Sequence, residues 1–197
     1  MKKIKITLAA LAAMVTIGTV SAQTTFGIRA GVGMAGIYGK NTDGAENRFG
    51  YHFGVNAEMP IGTDLYFQPN LLFANKGTKG TSGGIKIQNI YNYIEVPLNF
   101  LYKGEVGSGK VLVGAGPYIG YGVGVKMKAG SESETGSFKD ANLKNLDYGA
   151  NVLLGWEFSN KLSAQLNAGF GLANIAKESG EVKPKNIGAG ISLGYRF

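Results

Sequence analysis

The chain has 197 residues, 32 of them Gly and 20 of them Tyr or Phe, with one Trp, one His and no Cys. The missing cysteine excludes disulfides, thiolate catalysis, thiolate metal ligation and a lipid anchor on cysteine. Without a Gly-X-Y period or low-complexity runs, the glycine fits neither a collagen-like nor a disordered chain. The formal charge of +7 includes Lys2, Lys3 and Lys5 of an export segment; without those three it is +4, and the remaining Lys and Arg are too scattered to form a stripe for nucleic acid.

Lys2, Lys3 and Lys5 form a positive n-region, Ile6 to Val20 an apolar h-region, and Val20-Ser21-Ala22 sets small residues before a cut ahead of Gln23. Residues 1–22 therefore read as a cleaved signal peptide, the apolar run being short for a helical span. No later stretch is long and apolar enough for a membrane helix. Residues 23–197, a length for one domain, must enter a membrane, if at all, as strands.

Phe26 to Met34 alternates Phe26, Ile28, Ala30, Val32 and Met34 with Gly27, Arg29, Gly31 and Gly33, and period two is the mark of a strand with one oily face. Tyr38 to Arg48 is a polar loop. Phe49 to Met59 and Leu65 to Phe73 are the second and third strands, joined by a short turn from Pro60 to Asp64. Asn75 to Gln88, rich in Gly, Thr and Lys, reads as another long loop. The fourth strand, Ile90 to Tyr102, sets Ile94, Val96, Leu98, Phe100 and Tyr102 against Tyr93, Glu95 and Asn99. Lys103 to Gly109 turns the chain into the longest strand, Val111 to Met127, whose oily face runs from Val111 to Val125 opposite a row of glycines and Tyr118. Lys128 to Leu143 is polar and charged. Leu146 to Phe158, a tight Ser159-Asn160 turn, Leu162 to Leu172, a loop from Ala176 to Lys185 and the strand from Asn186 to Phe197 complete the chain.

The pattern predicts an all-β, eight-stranded antiparallel up-and-down transmembrane β-barrel, with strands near the ~9 to 11 residues that a tilted span needs. Connections alternate long and short, as external loops and periplasmic turns do, and aromatic residues at both ends of the oily faces would form two girdles. A secreted sandwich or lipocalin-like barrel would turn its oily face inward and set charged side chains opposite. Here the opposite face is mostly Gly, Asn, Gln and Tyr, which suits a narrow lumen packed by its own side chains.

The terminal strand resembles the C-terminal signature of bacterial outer-membrane barrels, in which Tyr195 and Phe197 would be the barrel-closing signal. Tyr93-Ile94-Glu95-Val96-Pro97-Leu98, supported by Gly116-Pro117-Tyr118-Ile119-Gly120, Asp147-Tyr148-Gly149 and Tyr195-Arg196-Phe197, resembles the PorT-like outer-membrane β-barrel family of Bacteroidetes. That resemblance spans nearly all of residues 23–197 and implies a fold and a place in the cell outer membrane.

Two motifs point elsewhere and lack their context. Gly31-Val32-Gly33-Met34-Ala35-Gly36 matches the dinucleotide fingerprint, but no helix can start at its last glycine. Gly104 to Lys110 nearly matches a phosphate-binding loop, yet Val111 stands where the magnesium-binding Ser or Thr belongs. No cofactor or metal is expected.

The candidate site is a charge network in the lumen. Arg29, Glu58, Lys103, Glu157 and Arg196 fall at periplasmic strand ends on the inner face and Glu95 lies deeper. Each is expensive unpaired, so Arg29 and Arg196 are expected to pair with Glu58, Glu157 or Glu95. The network would be a plug that fixes strand register or, alternatively, a gate whose pairs exchange. His52, the single histidine, would be a hydrogen-bonded lumen residue; as a general base it would need a nucleophile and an orienting acid. The expected function is structural or adhesive and binding, not enzymatic, with a narrow pore for small solutes or ions as the alternative and a lipid-modifying enzyme as the third. The expected partners are outer-membrane lipid and lipopolysaccharide, the last through lysine at the external loops, where Lys126, Lys128, Lys139 and Lys144 stand beside Glu132, Glu134 and Asp140, together with the barrel-assembly machinery and an extracellular ligand or protein.

Overall fold

The computed structural model describes residues 24–40, 42, 44–177 and 183–197; the segment 1–22 read as a signal peptide lies outside them. Nine strands follow in chain order: β1 (Thr25–Tyr38), β2 (Glu46–Pro60), β3 (Leu65–Ser82), β4 (Ile85–Val106), β5 (Gly109–Ala129), β6 (Glu132–Gly136), β7 (Leu146–Glu157), β8 (Leu162–Gly171) and β9 (Lys185–Arg196). All pairings are antiparallel, and eight strands form a ring in the order β1-β2-β3-β4-β5-β7-β8-β9. β9 returns to β1 along a seam running from Gly27↔Arg196 to Tyr38↔Lys185. The ring leaves no strand edge unpaired at membrane depth, which is what a hydrocarbon environment demands. β6 lies outside the ring, hairpinned onto the far end of β5.

The alternation seen in the sequence decides which way the oily face looks. Ile191 is 57% exposed, Leu193 70%, Val113 48% and Leu154 54%, whereas a sandwich would have gathered these side chains in its core. They form part of an apolar belt that also includes Phe26, Phe53, Phe100, Ile119 and Leu166. An Arg at the middle of such a belt costs ~2–4 kcal/mol. Ile191→Arg is therefore expected to lower the unfolding free energy by that amount in urea titrations of vesicle-inserted protein. Ile61→Arg, in the β2–β3 turn, should change it by less than ~0.5 kcal/mol.

The interior is narrow enough that some positions admit no side chain. A Cβ on Gly116 would overlap the carbonyl of Leu98 across the β4–β5 pair, and one on Gly190 the carbonyl of Val32. Glycine is needed there for close backbone approach.

Three features depart from the sequence reading. The 75–88 segment is not a loop: β3 and β4 continue as a hairpin to Ser82 and Ile85, turning at Gly83 and Gly84, both with positive φ. Two consecutive residues of that kind make a type I′ turn, whose twist matches the flanking strands. The polar 128–143 stretch likewise contains β6. In β5, Val123 is an extra residue where the β4 register passes from Asn92↔Gly124 to Tyr93↔Gly122. The bulge reverses the alternation, so Val125, read as lipid-facing, is buried inside with Tyr91, Tyr93, Phe138 and Ile175.

Candidate functional site

The turns β2–β3, β4–β5 and β7–β8 lie at the same end of the barrel as Thr25 and Arg196, and four of the six predicted charged residues meet there. Lys103 Nζ lies 2.8 Å from Glu58 Oε1 and 2.8 Å from Glu157 Oε1. Arg196 makes the complementary pairs, Nη2 to Glu58 Oε2 at 2.5 Å and Nε to Glu157 Oε2 at 3.2 Å. Each cation thus touches both anions, and the quartet is neutral. Gln68 Nε2 donates to Glu58 Oε2 at 3.2 Å, and the Tyr66 ring lies 5.2 Å from the Lys103 ammonium. Four strands, β2, β4, β7 and β9, are cross-linked at one level by these contacts.

Arg29 stands apart from this quartet. It lies four residues beyond Thr25, whose register partner is Glu58, and is thereby lifted above the carboxylates. Its guanidinium, 7% exposed, donates instead to Asn70 Oδ1 at 3.4 Å, Asn167 Oδ1 at 2.6 Å and Ser192 Oγ at 3.1 Å. The expectation that Arg29 pairs with Glu58, Glu157 or Glu95 does not hold among the described residues. Neutral amide and hydroxyl oxygens take up its two terminal nitrogens, because β3, β8 and β9 set Asn70, Asn167 and Ser192 on the inner face at its height, while Arg29 Nε is buried without a partner.

Glu95 belongs to a second cluster, nearer the loops, whose other members the sequence reading did not assemble. It forms an ion pair with Lys76, a residue that the loop reading of 75–88 had put outside. Lys76 Nζ also lies 3.6 Å from Asp147 Oδ2 and 4.5 Å and 5.6 Å from the ring centres of Tyr118 and Tyr93. Asp147 is wholly buried. Its Oδ2 accepts from Tyr118 Oη at 3.1 Å and Asn186 Nδ2 at 2.9 Å. The aromatic faces and two carboxylates hold the half-buried ammonium at the cavity wall. The signal available in the sequence was the inner-face parity of Asp147 and Tyr118, with a cation needed to balance them.

Between the clusters, Arg29, His52, Lys76, Glu95, Tyr118 and Asn167 are among the side chains lining a cavity of about 150 Å³. His52 Nε2 lies 2.8 Å from Ser192 Oγ. That oxygen already accepts from Arg29 and from Asn167 Nδ2 at 2.7 Å, so both its lone pairs are used and its own proton points at the imidazole. His52 therefore accepts at Nε2 and carries its proton on Nδ1. This is a serine–histidine contact that no sequence spacing revealed, since it forms across the β9–β1–β2 sheet over Gly31. Among the described residues no carboxylate contacts the imidazole, and Ser192 is buried.

The inner wall also carries Leu101, Leu112 and Leu153, which pack together beneath Tyr66. The lumen filling is thus partly apolar, beyond the Gly, Asn, Gln and Tyr that the alternation emphasised. At the loop end, Phe138 from the β6–β7 connection and Ile175 from the β8–β9 connection are buried against Tyr91, Tyr93 and Val125. A Cβ on Gly122 would overlap the Phe138 ring, so that glycine is its seat. The turn beside the ring is pinned by Asp140, whose Oδ2 accepts from Ser137 N at 3.0 Å and Ser137 Oγ at 2.7 Å. These bonds hold the exposed Asp140 carboxyl below its ordinary pKa. The lumen is filled at one end by the charge quartet with Leu101, Leu112 and Leu153 beside it, and at the other by the Phe138 cluster. The dinucleotide-like run 31–36 lies wholly inside β1, and the near phosphate-loop is the β4–β5 hairpin.

The terminal aromatics Tyr195 and Phe197 are exposed at the seam, their rings 5.8 Å apart edge to face. Phe197 N donates to Phe26 O at 2.9 Å.

Residues 15–177 match the family profile described as an outer membrane protein beta-barrel domain. Among solved structures the chain is similar to neisserial surface protein A, at 12% identity over 87% of this chain and 97% of that one, with a TM-score of 0.51. It is similar to the outer membrane enzyme PagL at 12% identity over 86% and 98%, TM-score 0.52. It is also similar to a major outer membrane protein from Thermus thermophilus at 15% identity over 89% and 100%, TM-score 0.50. At these identities the likeness is one of fold. No curated protein matches the sequence significantly.

Proposed function

We propose that this chain, which belongs to the outer membrane protein beta-barrel domain family and lies in the outer membrane, is a non-conducting barrel of structural and binding character. Its rigid wall and filled lumen hold out a hairpin sheet and loops toward envelope or extracellular partners. The observation that carries this reading is the double filling of the lumen: the Glu58–Lys103–Glu157–Arg196 quartet at one end and the Phe138 cluster at the other. A charge quartet whose members are all paired holds four strands in register, as a plug does. The finer family placement, within the PorT-like barrels of Bacteroidetes, is supported by Tyr93-Ile94-Glu95-Val96-Pro97-Leu98, in which Glu95 is the inward partner of Lys76. Export by cleavage before Gln23, and delivery to the barrel-assembly machinery through the strand ending in Tyr195 and Phe197, complete the proposal.

Purified protein in a planar bilayer is expected to give no conductance steps above the protein-free baseline, and regular single-channel steps would favour the narrow pore instead. The lipid-enzyme reading draws on the His52–Ser192 contact. It is weakened by the missing carboxylate and by burial of the serine inside the wall, since acyl transfer needs the nucleophile to reach its substrate. His52→Ala is expected to leave the lipid A profile of the producing strain unchanged, read by mass spectrometry.

A further inference from the structure

β3, β4 and β5 rise well past the length a span requires, and their register sorts the side chains of lipid-facing parity into rows, of which Asn75 and Ile90 are covered, at 6% and 8% exposed. Phe53, Phe73, Ile94 and Tyr121 form an apolar row. One step above, Asn75 opposes Asn92, and their amides bond at 2.7 Å. The next row is Gly77, Ile90 and Lys126, then Lys79, Gln88 and Lys128, and then Thr81 with Lys86. The β5 bulge creates this arrangement. By turning Val125 inward it turns Lys126 and Lys128 outward, onto the face that continues the lipid-facing belt.

The acids of the hairpin look the other way. In β6 it is Thr135 and Ser133 that oppose Lys126 and Lys128, while Glu134 and Glu132 oppose Met127 and Ala129 on the inner face. Among the described residues Lys86, Lys126 and Lys128 have no carboxylate partner, and Lys79 has only the exposed Glu46, at 3.6 Å. A mixed-charge stretch in the sequence is thus resolved by pairing into one cationic face and one acidic face.

Height decides what this cationic face meets. A two-residue step of a strand rising ~3.3 Å per residue and tilted ~35–45° climbs roughly 5 Å. Lys126 then stands roughly 10 Å above the Phe73–Tyr121 row, against a headgroup zone of about 5–8 Å on each side of the hydrocarbon. Its flexible stem can bend down into that zone. Lys79 and Lys128 stand one step higher, and Lys86 another.

We propose that this outward lysine face binds the headgroup of an outer-leaflet lipid carrying two or more phosphates, Lys126 meeting the nearer phosphate and Lys79, Lys128 and Lys86 the farther ones. The proposal rests on the outer-membrane placement above and names a partner for the projecting sheet. A lipid is favoured because the face is continuous with the belt that acyl chains cover, so a bound headgroup keeps its tails on the same wall. Compact ammonium charges on flexible stems suit phosphates at varied heights.

The test refolds wild type, a Lys79→Gln/Lys126→Gln/Lys128→Gln variant and the corresponding triple Arg variant in neutral detergent with diphosphorylated lipid A or its dephosphorylated form. Folding is checked by heat-dependent gel mobility, and bound lipid is counted by native mass spectrometry after detergent exchange. Wild type and the Arg variant are expected to retain the diphosphorylated form about 10-fold or more above the Gln variant, given the attraction each near-surface lysine adds. That retention should fall as salt rises, and the dephosphorylated form should be retained by none. Equal retention by wild type and the folded Gln variant, or equal retention of both lipids by wild type, overturns the lysine face. Failure of wild type to fold in neutral detergent or insert into phosphatidylcholine vesicles overturns the outer-membrane reading itself, whatever the lipid.

Discussion

Lys103→Met is expected to lower the unfolding free energy by about 3–5 kcal/mol, because it leaves two buried carboxylates to share one guanidinium. Glu58 and Lys103 are almost wholly buried and Glu157 nearly so. Lys103 is the sole ammonium in the quartet and lies 2.8 Å from both acids. The Met side chain preserves much of the volume beside Tyr66, so the loss reports charge and not a cavity. Adding Glu58→Gln to Lys103→Met should recover part of the loss, since the remaining Glu157–Arg196 pair is again neutral. The coupling between the two sites in a double-mutant cycle is then expected at ~1–3 kcal/mol. Urea titration of vesicle-inserted protein, followed by Trp156 fluorescence, measures Lys103→Met, Glu58→Gln and the double variant. Strictly additive losses would show that the quartet is four independent groups.

Phe138→Ala is expected to cost about 3–5 kcal/mol locally, the range for deleting a wholly buried phenyl ring from a packed cluster. The loss falls on the loop end because Phe138 is what ties the β6–β7 connection to Tyr91, Tyr93 and Ile175. The same connection carries Lys139 and Lys144, so trypsin reads its opening directly. At ~1.4 kcal/mol per factor of ten, cleavage there should accelerate by roughly 100-fold or more when opening precedes cutting. Midpoints for the barrel strands should move far less, since the ring's own ladder is untouched. Gly122→Ala, which sets a methyl into the seat of the Phe138 ring, should speed the same cleavage.

The orientation of the wall was legible from residues alone, because period two with Gly or Ser opposite Ile191 and Leu193 leaves only one face fit for hydrocarbon. The strand extensions were not. Residues 75–82 are strand because β4 supplies partners from Asn92 to Ile85, a tertiary cause that overrides a Gly- and Lys-rich composition. The Gly83-Gly84 pair was the local cue that could have shown the hairpin. The sequence offered no such cue for the bulge at Val123, since one extra residue in a run of alternating Val and Gly changes nothing in the pattern until the partner strand is known. The charged residues were found, but their partners follow from height. Arg196 and Thr25 share a level, which gives Arg196 the carboxylates, while Arg29, four residues further along β1, meets only neutral amide and hydroxyl oxygens. Lys76 was hidden by the loop reading, and with it the partner of Glu95.

The seam between β1 and β9 sets an order on how this molecule can be made. Its other strands pair with partners close in the chain, but Thr25 and Arg196, in contact across the seam, are 171 positions apart. Such a distant zip comes late and slowly. Until it is made, the nascent sheet has two raw margins of unpaired peptide groups, each a template for strands of other chains. Only the zip of β9 onto β1 removes both margins at once, so protection from self-association arrives in a single closing step.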